Sequence, residues 1–396
     1  MTATIEMTTI DACRSCGAKD LRLLLPMGDQ PLANALLDSD DPQLPEARFP
    51  LNVVFCPNCS LVQITETIPP ETLFREYVYF SSFSDTVLRH AQDVAEGLVR
   101  ERRLNAQSLV VELASNDGYL LKHFVKAGIP VLGIEPARNI AKVATERGIR
   151  TVDEFFGKDL AEELSAKGYQ ADVILANNVM AHVPDIHGVL AGIKTLLKPD
   201  GVFVMETAYV KDFIDHLEFD TMYHEHLFCY SLTALEDLYQ RHGLAAADVE
   251  KVPIHGGTIR VTVTHTGREG ARPRVGAMLD EERVWGVARP EFYKDFAARV
   301  ATLRTEVTRT LRELKSQGKR IAAYGAAAKA STLLNYMKIG RETLEFVADR
   351  STYKHGRFMP GSRVPIQPPE RLLETQPDFV LLLAWNFADE IIAQQA

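Results

Sequence analysis

The spacing of apolar positions changes several times along the chain, and each change marks an element. The stretch "ETLFREYVYFSSFSDTVLRHAQDVAEGLVRERR" reads as an aromatic-rich loop running into a helix that ends near Arg103. The apolar run "SLVVEL" then stops at "ASNDG", and "YLLKHFVKAG" resumes with helical spacing, which predicts a strand, a tight turn and a helix. A second strand, "PVLGIE", ends at Glu135. After it come "ADVILANNV" before a polar loop, a helix through "VLAGIKTLLKPDG", and "VFVMETAY" as a further strand. Strands alternating with helices predict an α/β fold with a parallel, doubly wound sheet, whose ligands sit beyond the carboxyl ends of its strands. The loops that matter are then residues 115–118, Glu135, residues 177–182 and residues 206–209.

The pattern repeats near the C-terminus. "RIAAYGAAAKASTLLN" reads as strand, glycine turn and helix, with "LEFVADRS" and "PDFVLLLAW" as later strands. The small residues at 325–328 let a ligand or strand pack against the helix start, where backbone amides favour phosphate oxygens. A nicotinamide site is the rival reading, because Asp349 ends the next strand, but the turn lacks G-x-G-x-x-G.

Composition narrows the classes. With 396 residues, 46% apolar and 24% charged, the chain is long enough for two or three compact domains. A net charge of −9 argues against nucleic acid and anionic membranes as partners, so an anionic ligand needs a local cluster of donors. "YKHGRFMPGSR" offers one, with Lys354, His355, Arg357 and Arg363; a solvated surface loop is the plainer reading. The opening "MTATIEMTTIDAC" lacks signal-peptide character and no run approaches the roughly 20 apolar residues of a membrane span, which gives the expectation of a cytoplasmic protein.

Four of the five cysteines form "CRSC" and "CPNC", that is Cys13, Cys16, Cys56 and Cys59. Two such knuckles supply four thiolates for a tetrahedral Zn²⁺, with no open position, so the metal is expected to be structural. A redox dithiol or disulfide framework fits a reducing compartment and a doubled motif less well. Cys229 reads as a small buried side chain.

Three further stretches carry chemistry. In "ELASNDG", a turn at Gly118 lets the backbone approach a ligand, with Asn116 and Asp117 as polar contacts. Glu135, ending the second strand, is placed to accept from both ribose hydroxyls of an adenosine, or else to cap a helix. "IHGGTIR" provides His255, Thr258 and Arg260 beside two glycines, either for a substrate or as hairpin chemistry. "MYHEHLFCYS" crowds Tyr223, His224, Glu225 and His226 together; metal binding would need more ligands, and histidines hydrogen-bonded in a core are the bland alternative.

The order of the Cys-x-x-Cys pairs, "EYVYFSS", "ELASNDGYLL", "GIEPARNIA", "NNVMAHVPD", "YHEHLFCYS", "IHGGTIRV" and "YGAAAKASTLLN" resembles the S-adenosylmethionine-dependent C-methyltransferases of nucleotide-linked sugars over nearly the whole chain. The resemblance implies a zinc-binding module over 1–75, a class I (Rossmann-like) methyltransferase domain over 76–245 and a Rossmann-like nucleotide-sugar domain over 246–396. It implies methylation at carbon, C-3′, of a deoxy-4-keto sugar carried on dTDP, in antibiotic-type deoxysugar biosynthesis, by a monomer or weak homo-oligomer.

Carbon becomes nucleophilic there only after a base removes the proton beside the ketone, giving an enolate. The resemblance assigns His226 as that base, Glu225 and Tyr223 as its supporting carboxylate and hydroxyl, and His182 and Tyr77 as further catalytic candidates. It implies that Ser115, Asn116, Gly118, Glu135, Phe155, Asn177 and Asn178 hold the methyl donor. Tyr79, His224, His255, Thr258, Arg260, Lys329, Lys354, His355 and Arg357 are the candidates for the sugar nucleotide. For His182 the competing role is capping before Pro184, and for the tyrosines it is packing. A non-sugar acceptor and a non-catalytic zinc-stabilised binding protein are the alternatives to this function.

Overall fold

The computed structural model describes residues 5–77 and 80–395, so that Tyr79 lies outside the described residues. Among these the central sheet has seven strands, in the spatial order Leu244–Val252, Thr258–His265, Leu197–Ala208, Ala171–Asn177, Val110–Leu113, Val131–Ile134 and Thr151–Val152. The last five run parallel, and the hairpin of the first two is antiparallel. Val110–Leu113 is buried along its whole length, which is why its sequence is a continuous apolar run rather than an alternation. The hairpin takes the central sheet to His265, past the boundary expected at 245, because Thr258–His265 pairs along Leu197–Ala208.

The helix expected to end near Arg103 runs Asp85–Arg102. Ser84 accepts from the Val87 amide at its start, and Arg103, at φ 52°, closes its end by donating to the Val99 carbonyl. Ile186–Leu196 is shorter than its apolar pattern predicts, and residues 197–201 already belong to the strand Leu197–Ala208. Pro199 explains the stop: it lacks an amide proton and disfavours helical geometry at Lys198.

Two smaller sheets flank the centre. The C-terminal one is parallel, ordered Ile366–Gln367, Val347–Ala348, Ile321–Tyr324 and Phe379–Leu382, with the helix Ala328–Met337 after its third member. The N-terminal one is antiparallel, ordered Phe228–Cys229, Val62–Ile64, Arg48–Phe55 and Arg22–Pro31. Its first strand comes from the histidine-rich segment, far along the chain from its partner, with Phe228 paired to Gln63. Leu25 and Phe55, Phe203 and Phe213, and Phe296 and Leu334 all belong to one continuous buried apolar cluster through the three units.

Candidate active site

The two knuckles are built alike. Gly17 donates to the Cys13 carbonyl and Ser60 to the Cys56 carbonyl, both at 2.9 Å, and both fifth residues are left-handed, at φ 72° and 62°. Ligand atoms of Cys13, Cys16, Cys56 and Cys59 all lie within 4.8 Å of one another. Sulfur pairs lie 3.6 Å (Cys13 and Cys59) and 3.5 Å (Cys16 and Cys56) apart. The Cys59 thiol, with the amides of Cys16 and Ser15, draws Cys13 down to about 5, whereas burial pushes Cys56 up to about 11. Four sulfurs this close ionise together only around a cation, which is the fit expected for zinc.

At the carboxyl ends of the central strands, the turn after Val110–Leu113 holds Ala114, Asn116 and Gly118 at φ 46°, 50° and 78°. Glu135 ties this turn to the next: its carboxylate accepts from the Asn116 and Ala137 amides, both at 2.8 Å. Burial raises it to about 7 against those two donors. Asn116 Oδ1 accepts from the Ser81 amide at 2.9 Å. Asp117 accepts from Ser82 Oγ at 2.5 Å and from Arg147 at 2.7 Å, so it closes the turn. Gly118 serves packing as well as its φ: a Cβ there would lie 2.6 Å from Ile149 Cγ1. Ser115 Oγ, Glu112 Oε2 and Asn177 Oδ1 are buried without a protein partner, and Asn178, at φ 56°, donates to the Glu206 carbonyl at 2.8 Å. Unpartnered polar atoms at the ends of adjacent strands need a polar ligand or water, and these fit S-adenosylmethionine. Phe155 lies under the Arg75 guanidinium, 4.6 Å from its ring centre.

The histidine segment lies across this edge. The His226 ring stacks on Tyr223 at 4.3 Å and meets the His182 ring edge-on at 4.5 Å. Burial pushes His226 well below the usual histidine range, with His182 and Lys329 acting the same way. Burial also takes His182 down to about 4, against the backbone carbonyls of Glu225 and Asn178. Both imidazoles are therefore neutral at physiological pH. Glu225, expected beside His226, turns instead to Tyr77, whose hydroxyl donates at 2.8 Å, and to the Asn34 amide at 2.8 and 2.9 Å. Burial raises Glu225 to about 7, opposed by those donors.

His224 points the other way, into the N-terminal module, where Nε2 meets the Pro50 carbonyl at 2.9 Å and the ring lies edge-on to Phe49. Lys329 does face the histidines. It donates to Asn386 Oδ1 at 2.9 Å, lies 4.6 Å from the Trp385 ring centre, and is lowered by burial against the pull of Asp220 and Glu218. His255, left-handed at φ 57°, is taken by burial down to about 4.

The other substrate candidates make contacts within the chain. Arg260 binds Glu206 at 2.7 Å and Glu250 at 2.9 Å, and Thr258 donates to the Ile254 carbonyl at 3.0 Å. Lys354 donates to the Ala326 carbonyl at 2.9 Å, His355 meets the Asp349 carbonyl at 2.7 Å, and Arg357 pairs with Asp38 at 3.1 Å. The basic loop thus docks the C-terminal domain on itself and on the N-terminal module instead of forming one open patch. A groove of about 680 Å³ between residues 26–30 and 334–340 shares no lining residue with the histidine cluster.

Asn34, Glu218, Asp220, Trp385 and Asn386 escape a reading of the sequence. Trp385 donates to Asp220 at 2.9 Å, burial raises Glu218 to about 8, Glu218 Oε1 has His216 Nδ1 at 3.5 Å but no hydrogen bond, and Asn386 Nδ2 is buried without a hydrogen-bond partner. Each is an ordinary residue by its neighbours, and only the fold brings Asn34 to Glu225 and the other four to Lys329.

A family model described as a zinc binding domain matches residues 13–74, a methyltransferase domain residues 87–249, and a C-methyltransferase C-terminal domain residues 253–396. C-methyltransferase NovU of Streptomyces niveus is 38% identical over 384 residues, which is 97% of this chain and 91% of that protein. The chain belongs to this family of C-methyltransferases. The C-methyltransferase uses S-adenosylmethionine and carries a zinc-binding module. Ubiquinone biosynthesis O-methyltransferase of Cereibacter sphaeroides is 33% identical over 25% of the chain and 40% of its own length. Among solved structures, the PH0226 protein of Pyrococcus horikoshii covers 50% of the chain and 98% of its own at 15% identity and a TM-score of 0.40.

Proposed function

We propose that this C-methyltransferase methylates carbon C-3′ of a nucleotide-linked, dTDP-type deoxy-4-keto sugar through an enolate. The observation that carries this reading is the contact of two imidazoles, His226 and His182, with ring centres 4.5 Å apart, each held below the usual histidine range by burial. A neutral imidazole is what proton removal from carbon requires at physiological pH.

His226 takes the proton from the carbon beside the ketone. The electron pair of that C–H bond becomes the C=C bond of the enolate, and the carbonyl pair moves onto oxygen. In this reading Lys329 and the Tyr223 hydroxyl are the donors for that oxygen, since Lys329 acts on His226 by its charge and the Tyr223 ring stacks on the His226 ring. When bound, S-adenosylmethionine supplies an electrophilic methyl group on a sulfonium, so the protein's task is deprotonation and alignment. The second Rossmann-like unit, with Lys329 in the first turn of its helix Ala328–Met337, supports a nucleotide-bearing acceptor.

The test is incubation with isotopically labelled S-adenosylmethionine and a panel of nucleotide-linked keto sugars, free keto sugars and phenols, with the labelled atom located by NMR. Label on C-3′ of a nucleotide-linked sugar is the expected result. Turnover confined to acceptors without a nucleotide, or label on oxygen, would overturn the reading.

A further inference from the structure

The N-terminal module reaches the histidine segment at successive points. The Pro50 carbonyl holds His224, Asn34 holds Glu225, and Val62 and Gln63 pair with Cys229 and Phe228. The first and third contacts use the module's backbone. The second is a side chain, and it lands on a candidate catalytic group.

Asn34 sits in a turn just after the strand Arg22–Pro31, set by hydrogen bonds from Ala35 to the Leu32 carbonyl and from Leu36 to the Asn34 carbonyl. Leu32 and Ala33 before it are buried, so the direction of the side chain is fixed by the fold of the module. Its Nδ2 donates to both oxygens of Glu225, 191 residues away, and lies 3.4 Å from the Tyr77 hydroxyl oxygen. An amide nitrogen shared in this way holds the carboxylate and, through it, the tyrosine hydroxyl in one orientation.

We propose that Asn34 is a positioning residue of the catalytic cluster, through which the N-terminal module sets the orientation of the Glu225–Tyr77 pair. The proposal rests on the reading of this cluster as the acid/base centre. It makes the module part of the active site as well as a support for it. Asn34 and Tyr77 face Glu225 by hydrogen bonds, and the ring of His182 faces its backbone carbonyl; His226 is the next residue along.

Two variants of the zinc-loaded full chain test it. Asn34→Leu keeps the volume and removes the side-chain donor while leaving the Asn34 backbone contact to Glu225 in place. The expected loss is about 10- to 100-fold in kcat with KM nearly unchanged, the scale of a hydrogen bond to a charged group. The acid limb of its pH–rate profile moves upward, because losing a donor to the ionised carboxylate raises that group's affinity for a proton. Asn34→Asp places a second carboxylate against the first, which raises the pair's affinity for a proton, so its acid limb moves upward further than that of Asn34→Leu. Difference infrared spectra against Glu225→Gln read the protonation of Glu225 without any substrate, and Asn34→Leu is expected to raise that titration.

A variant with the wild-type pH profile and the wild-type carboxyl titration would overturn the proposal. So would a loss of activity that comes with lost zinc and a lowered Tm while the titration stays put, since that is a merely structural role. If the wild type methylates no keto sugar at all, the functional reading fails, and the infrared titration alone still decides for or against Asn34.

Discussion

A histidine acts as a base at neutral pH only if it is uncharged when the substrate arrives. Burial secures that for His226, so His226→Asn should lose both methylation and exchange of the acceptor hydrogen in deuterated water, by about 10²- to 10⁴-fold. NMR of the recovered substrate checks the exchange, and near-normal exchange would remove His226 from the role. Stability should respond to pH in two opposed ways. His182 and His255 fall to about 4 in the folded chain, so between there and about 6.5 the unfolded state binds the extra protons and stability drops on acidification. Glu225 rises to about 7, so from about 4.3 upward the folded state holds the extra proton and stability drops as pH rises. Glu225→Gln should therefore gain stability relative to wild type as pH rises from about 5 to about 7.5; urea melts at both ends measure it, and a constant difference would contradict the assignment. The sequence brought Tyr223, Glu225 and His226 to notice because they are neighbours. It gave no means of seeing that residues 225 and 226 turn to different partners, or that one of those partners is Asn34, because nothing local marks a contact 191 residues long.

Elements with strong local signals were the readable ones. The strand Val110–Leu113 and the helix Asp85–Arg102 stand where apolar period and chain turns put them, and the paired knuckles announced a four-sulfur site. Phe228–Cys229 had no such signal: two residues form a strand only because Val62 and Gln63 offer an open edge, with Ile64 donating to the Leu227 carbonyl at 2.9 Å. The same pairing ties the knuckles to the histidine segment, since Arg14 of the first knuckle bonds the Glu66 carbonyl at 2.9 Å and lies 5.7 Å from the Phe228 ring centre. Removing the metal should then be felt beyond the cysteines. Chelation, or Cys59→Ser, is expected to lower Tm by several degrees or more, as for a loss of over about 1 kcal/mol. Amide exchange should quicken at residues 62–64 and 227–229 together, and faster exchange confined to the knuckles would show that the strand pairing does not depend on the metal.

At the scale of the whole molecule, the doubled α/β pattern and the paired knuckles suggest separate units, while the contacts between them are ones that no single segment encodes. The central sheet runs to His265, and Asp38 and Asp40 of the N-terminal module pair with Arg357 and Arg341 of the C-terminal domain at 3.1 and 2.5 Å. Those surface pairs contribute little each; the shared apolar core contributes more. Phe55 of the module packs on Tyr293, ring centres 4.5 Å apart, and both are buried within the core that continues to Phe296 and Leu334. Cutting Phe55 to Ala should cost about 3–5 kcal/mol, and because the core is continuous, the loss should reach all three units. Calorimetry of Phe55→Ala is expected to show one transition at a lower temperature, with the near-ultraviolet circular dichroism of Trp285 and Trp385 melting at that same point. Two separated transitions, with the tryptophan signal keeping its original midpoint, would mean that the C-terminal domain stands on its own core and that the module is joined to it only at the surface.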